Sequence, residues 1–147
     1  MNSEFLNILA RYCAYQERCV QELHLKMKSL GIEDHIFADY ILWLEENNYL
    51  NEERFAEIYA RSKLNQKKWG RNKIRFELKK RKINAAHIQK AINQIDDEQY
   101  IVTLKEVIDQ KAKKLTSKDV WANQQKCYQF ALAKGFESDL IGEVLKG

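Results

Sequence analysis

The chain has 147 residues, 45% of them hydrophobic, so one sizeable core can be buried and wholesale disorder is excluded. Proline is absent and there are only five glycines, too little turn punctuation for a sheet-rich fold, which predicts an all-α protein. The net charge of +4 is unevenly spread: residues 1–50 carry −4, residues 51–95 carry +9 and residues 96–147 carry −1, so the middle third favours an acidic partner.

Apolar spacing predicts nine helices in chain order. Phe5, Leu6, Leu9 and Tyr12 fit the first, and Leu23, Met27 and Leu30 the second, with Gly31 as its stop. Ile36, Phe37, Tyr40, Ile41 and Leu44 fit the third. Asn51 caps a fourth, with Glu52 and Glu53 where the helix dipole favours acids, and Phe55, Ile58, Tyr59 and Ser62 along one face. Trp69 and Gly70 mark a corner. The fifth helix, about 71–81, turns Ile74 and Leu78 inward. Asn84 caps the sixth, the seventh covers roughly 97–115, Ser117 caps an eighth that runs to Gly135, and the ninth spans about 137–146.

Three corners repeat: "SLGIEDHIFADYI" at 29–41, "KRKINAAHIQKAI" at 80–92 and "AKGFESDLIGEVL" at 133–145. Ile32, Ile83 and Phe136 correspond. Phe37, Ile88 and Ile141 follow, then Ile41, Ile92 and Leu145, and Leu23, Ile74 and Cys127 precede them. The reading is three tandem three-helix repeats, 1–50, 51–95 and 96–147, laid in line as an elongated, curved rod. Such a body suits binding along a groove or filament.

The segment "KKWGRNKIRFELKKRKIN", 67–84, holds nine Lys or Arg against Glu77 alone. Arg71, Arg75, Lys79 and Lys82 fall in one stripe, which Lys67 and Lys68 extend. Glu77 stands four residues from Lys73 and from Arg81 and can pair with either. A solvated face is the bland account. A phosphate backbone or an acidic protein groove is the alternative, because unrelieved like charge costs self-repulsion. Trp69 is a corner aromatic or an exposed anchor, and Arg54 pairs with nearby acids or reaches a partner. A second basic run, Lys111, Lys113 and Lys114, fits the end of a helix. The three cysteines form no CxxC pair and suggest a reducing compartment. His24, His35 and His87 lack metal-ligand spacing. No glycine-rich phosphate loop or nucleophile motif occurs, so no enzyme, cofactor or metal site is expected. No apolar run reaches the length of a membrane span. The N-terminus lacks a signal-peptide layout, and a cytoplasmic monomer is the expectation.

"LNEERFA" at 50–56, followed by "WGRNKIRFELKKRKI" at 69–83, resembles the RecX regulatory proteins. The resemblance implies three three-helix repeats and a modulator of the RecA recombinase. Such a protein lies in the groove of the RecA–DNA filament and restrains its growth, strand exchange and ATP hydrolysis. Some members also bind DNA, and single- or double-stranded DNA held through phosphate contacts is a further expected partner of this chain. Many members have Gly where this chain has Lys68 and Lys82, at corners that need left-handed geometry. The rival reading is a DNA-binding module of the helix-turn-helix kind, and a third is a protein adaptor without nucleic-acid contact. Lysine-rich residues 71–81 suit phosphates better than base edges.

Overall fold

A computed structural model describes all residues, 1–147, and the chain is helical throughout. The helices are α1 (Ser3–Tyr15), α2 (Val20–Ser29), α3 (Phe37–Glu46), α4 (Glu52–Ser62), α5 (Arg71–Lys80), α6 (Ala85–Asn93), α7 (Asp97–Lys113), α8 (Val120–Ala133) and α9 (Ser138–Lys146). A 3₁₀ turn, Asp34–Ile36, leads into α3. A π turn, Lys63–Lys67, prolongs α4, and the sequence pattern does not announce it.

Helix starts follow their caps. The side chains of Asn51, Asn84 and Asp96 accept from the N–H groups of Arg54 (3.0 Å), Ala86 (2.7 Å) and Gln99 (3.0 Å). At α8 the expected cap moves. Asp119 accepts from the Ala122 N–H at 3.1 Å, and Ser117 instead accepts from the Asp119 N–H at 3.1 Å. The carboxylate is the stronger cap at the positive helix end, and Ser117 steadies the residue that supplies it.

The three repeated corners share one hydrogen-bond pattern. Ile32, Ile83 and Phe136 each donate their N–H to the carbonyl five residues back, on Met27, Leu78 and Ala131 (3.1, 3.2 and 3.2 Å). The preceding residues, Gly31, Lys82 and Gly135, have φ of 81°, 59° and 101° and donate to Lys28, Lys79 and Leu132. This is the Schellman arrangement, which ends a helix by putting one residue in the left-handed region and turning the next apolar side chain inward. Ile32, Ile83 and Phe136 are buried accordingly. The sequence repeat is therefore a repeat of corner chemistry, with lysine bearing the strain at position 82.

The cores do not divide evenly by repeat. Nine buried residues, among them Leu9, Leu23, Met27, Tyr40 and Leu44, form a core within α1–α3. Helices α4–α9 share a second core of 19 buried residues, including Ile74, Leu78, Ile88, Leu104, Phe136 and Ile141, which Cys19 of the α1–α2 corner joins. The chain exposes 9224 Å², whereas a compact protein of this mass exposes about 7,900 Å². The excess is what units placed in line, each covering only its neighbour, must leave open.

The joint between the second and third units is a backbone contact. Gly70 donates to the Lys134 carbonyl at 2.8 Å, and the Asn72 N–H donates to the Gly135 carbonyl at 2.9 Å. A Cβ on Gly70 would lie 2.4 Å from backbone atoms of Gly135 and Phe136. Gly70→Ala is expected to cost about 3 kcal/mol, because backbone must shift to admit the methyl. Gly31→Ala, with open space but a positive φ, is expected to cost about 1 kcal/mol. Lys82→Gly is expected to gain up to about 1 kcal/mol by relieving the strained turn. Urea unfolding of the three variants checks this order.

Candidate partner-binding surface

The predicted basic residues fall into two groups that the linear stripe does not distinguish. One group holds the units together. The Arg71 guanidinium reaches out of the second unit to Glu137 Oε2 (2.9 Å) and Asp97 Oδ1 (2.8 Å) in the third, and lies 3.8 Å from the centroid of the Tyr100 ring. Its own backbone N–H donates to Tyr100 Oη at 2.9 Å, and Tyr100 Oη donates to Glu137 Oε1. Burial, reinforced by that carboxylate, pushes the Tyr100 phenol well above its ordinary pKa. Only 17% of the Arg71 side chain is exposed. The expectation of an uncompensated cation at position 71 is therefore corrected: two acids and an aromatic face absorb its charge.

Arg54 is likewise tied inward. Its Nε contacts the Glu17 carboxylate, Nη1 donates to Asn48 Oδ1 (3.1 Å) and Nη2 to the Asn48 carbonyl (3.3 Å). Those partners belong to the first unit, so Arg54 latches the first unit to the second. The Val20 N–H donating to Glu52 Oε2 (3.0 Å) and Gln21 Nε2 donating to the Lys80 carbonyl (3.2 Å) complete that joint.

The other group faces solvent. Lys67, Lys79 and Lys82 are exposed and make no ion pair. Arg75 is half-buried, makes no ion pair, and donates to Asn72 Oδ1 at 3.2 Å. Glu77 neutralises Arg81 (3.2 Å) and, more loosely, Lys80 (3.8 Å), and takes nothing from the stripe. Between the cations stands Phe76, 60% exposed, with Lys80 Nζ 5.9 Å from its ring centroid. The outward face of α5 is thus an aromatic ring set among cations, the combination that anchors protein and nucleic-acid partners.

Lys68 and Trp69, which the sequence placed with the stripe, sit instead at the joint, where Lys68 is neutralised and Lys63, Lys73 and Lys134, not singled out from the sequence, lie nearby. Lys68 takes the left-handed conformation that ends the π turn (φ 55°) and pairs with Glu106 at 2.7 Å. Trp69 is half-buried, 6.4 Å from Tyr59, with the ammonium groups of Lys63 and Lys73 at 5.3 and 4.8 Å from its ring. It is a corner aromatic that also stabilises two cations. Lys134, from the end of α8, donates Nζ to the Lys67 carbonyl at 3.0 Å. Its pKa is lowered, first by burial and then by the charges of Lys73, Lys67 and Lys68. Lys134 is 61 residues beyond Lys73 in the chain, so no local pattern could associate them.

The pattern of the second three-helix domain of RecX matches residues 51–92, and that of the third matches residues 97–145. The chain belongs to the RecX family. A regulatory protein RecX from Clostridium perfringens (strain SM101 / Type A) is 29% identical over 128 residues, covering 86% of this chain and 59% of that protein. One from Clostridium botulinum (strain Eklund 17B / Type B) is 27% identical over 161 residues, covering 99% of this chain and 75% of that protein. The crystal structure of RecX from Lactobacillus salivarius superposes with a TM-score of 0.86 at 25% identity, over 98% of this chain and 94% of that one. A second RecX crystal structure, 19% identical, shares the fold with a TM-score of 0.89, over 99% of this chain and 73% of that one. This chain spans about three fifths of the length of the first relatives it matches. The family is one of regulatory proteins, and no helix here is long and apolar enough to cross a membrane.

Within this RecX fold, Arg71 and Arg75 sit one turn apart on α5 and should behave oppositely. Arg71→Ala leaves Glu137 half-buried without its cation and is expected to cost about 2–3 kcal/mol in urea unfolding. Arg75→Ala is expected to stay within about 0.5 kcal/mol of the parent.

Proposed function

We propose that this chain binds the RecA–DNA filament and restrains its growth, strand exchange and ATP hydrolysis. Membership of the RecX family supports the regulatory role. The observation that carries the mode of binding is the outward face of α5, where Arg75, Phe76, Lys79 and Lys82 stand without acidic partners. A filament repeats its acidic surfaces along an axis, and units in line can meet successive copies. Bridging neighbouring subunits opposes addition of the next one and hinders the motions of turnover. The cations face either RecA's acidic surface or the phosphates of the enclosed DNA, and either contact weakens as salt rises. The setting is the cytoplasm, and the protein acts as a monomer.

A helix-turn-helix reader of duplex sequence is the weaker account. Such a module needs several base-reading side chains on one helix, whereas the outward face of α5 is lysine, arginine and phenylalanine, with Asn72 bonded to Arg75.

The test is a RecA- and single-stranded-DNA-dependent ATPase assay titrated with the protein. Inhibition is expected. Reversing Arg75 and Lys79 to Glu is expected to raise the half-inhibitory concentration at least about tenfold, a loss of about 1.4 kcal/mol in binding, with the helical content unchanged. Arg71 is left intact so that a loss of activity is not a loss of fold. Absence of inhibition by the parent protein, or full inhibition by the double variant, counts against this reading.

A further inference from the structure

The first unit carries an exposed face that the proposed function leaves without a role. A groove of about 520 Å³ lies between α2 and α3, lined by Val20, Phe37, Ile41, Leu42, Asp34 and Glu45. Leu42 is 55% exposed. Asp34, Asp39, Glu45 and Glu46 are exposed and make no ion pair. This face is the charge mirror of α5. In "LWLEE", 42–46, an exposed apolar residue is followed by a buried leucine two positions on and then by two acids; in "FELKK", 76–80, the same order ends in two lysines. Leu44 and Leu78 are both fully buried. Two positions along a helix are slightly more than half a turn, so each buried leucine turns Leu42 or Phe76 outward. The charges three and four positions on share that outward side.

We propose that the α2–α3 face receives α5 of a second copy of this chain. With α3 and α5 side by side in the same direction, Leu42 packs on Phe76, and one turn on Glu45 and Glu46 meet Lys79 and Lys80. The charges of the units agree, −4 in residues 1–50 against +9 in residues 51–95. The contact takes from water the apolar surface of Leu42 and of Phe76, which is 60% exposed. The two faces differ, so the contact is heterologous. A copy that gives α5 to one neighbour still offers its α2–α3 face to another, and growth is head to tail. Two short helix faces bury less than about 1,200 Å², the size of weak and transient encounters, so the dilute chain is a monomer. Association covers α5, which leaves the monomer as the form free to meet a filament. The contact does not depend on RecA, and its readout is the mass of the chain alone.

Sedimentation equilibrium of the full chain tests this. At about 0.5 mM protein and about 20 mM salt the weight-average mass is expected to reach at least about 1.5 times that of one chain, and about 0.5 M salt is expected to return it toward one chain. Leu42→Lys on one face, and Phe76→Ala with Lys79→Glu on the other, are each expected to hold the mass at one chain with the helical content unchanged. Mixed in equal amounts, these two variants are expected to form a one-to-one pair that grows no further, because each keeps the face that the other has lost. A parent chain that stays single at low salt overturns the proposal. So does association that survives either set of substitutions, or a mixture of the two folded variants that does not pair.

Discussion

Gly70 and Gly135 touch backbone to backbone, and the placement of α5 depends on that contact. Neither position has room for a Cβ, and the two hydrogen bonds across it join the start of α5 to the corner that precedes α9. The contact sets where α5 begins and how it points. It delivers Arg71 to Asp97, Tyr100 and Glu137, and it brings Lys134 beside Lys67. Two absent side chains thus organise both the clamp and the Lys134–Lys67 contact, because only bare backbone lets two units approach this closely.

The two joints of the chain differ in kind. Between the second and third units the core is continuous and apolar, and the Arg71 clamp closes over its edge. Between the first and second units only Cys19 connects the apolar cores, and the remaining links are polar: Arg54 with Glu17 and Asn48, Val20 with Glu52, Gln21 with Lys80. A cleft of about 630 Å³ opens beside this joint, lined by Glu17, Glu22, Lys63, Glu77, Lys80 and Arg81. Charged links in water contribute little each and are screened by salt, whereas a shared apolar core is not. The α4–α9 body is accordingly the firmer part, and it carries both cation patches.

Charge in this protein has two uses that look alike in one dimension. Arg54 and Arg71 are arginines that bridge units, suited to it by a planar fork that can meet two acceptors at once. Lys67, Lys79 and Lys82 are lysines left in solvent. The helical spacing of Arg71, Arg75 and Lys79 correctly places them along one side of α5, yet it does not reveal that the third unit covers the first of them. Asp97 and Glu137 lie 26 and 66 residues downstream of Arg71 and give no local sign of pairing.

The sequence by itself determined the helices, most of their caps and the threefold repetition, because apolar spacing, Asn and Asp caps and corner residues act within a few positions of one another. The resemblance to RecX proteins, many of which carry Gly there, pointed to Lys68 and Lys82, and both take left-handed geometry. The tertiary structure alone decided which cations remain free, which serve as bolts, and that Lys134 reaches the Lys67 carbonyl. The physical reason is range. Caps and amphipathic faces are local, but neutralisation and desolvation depend on whatever the folded chain brings within a few ångströms, and here that comes from another repeat.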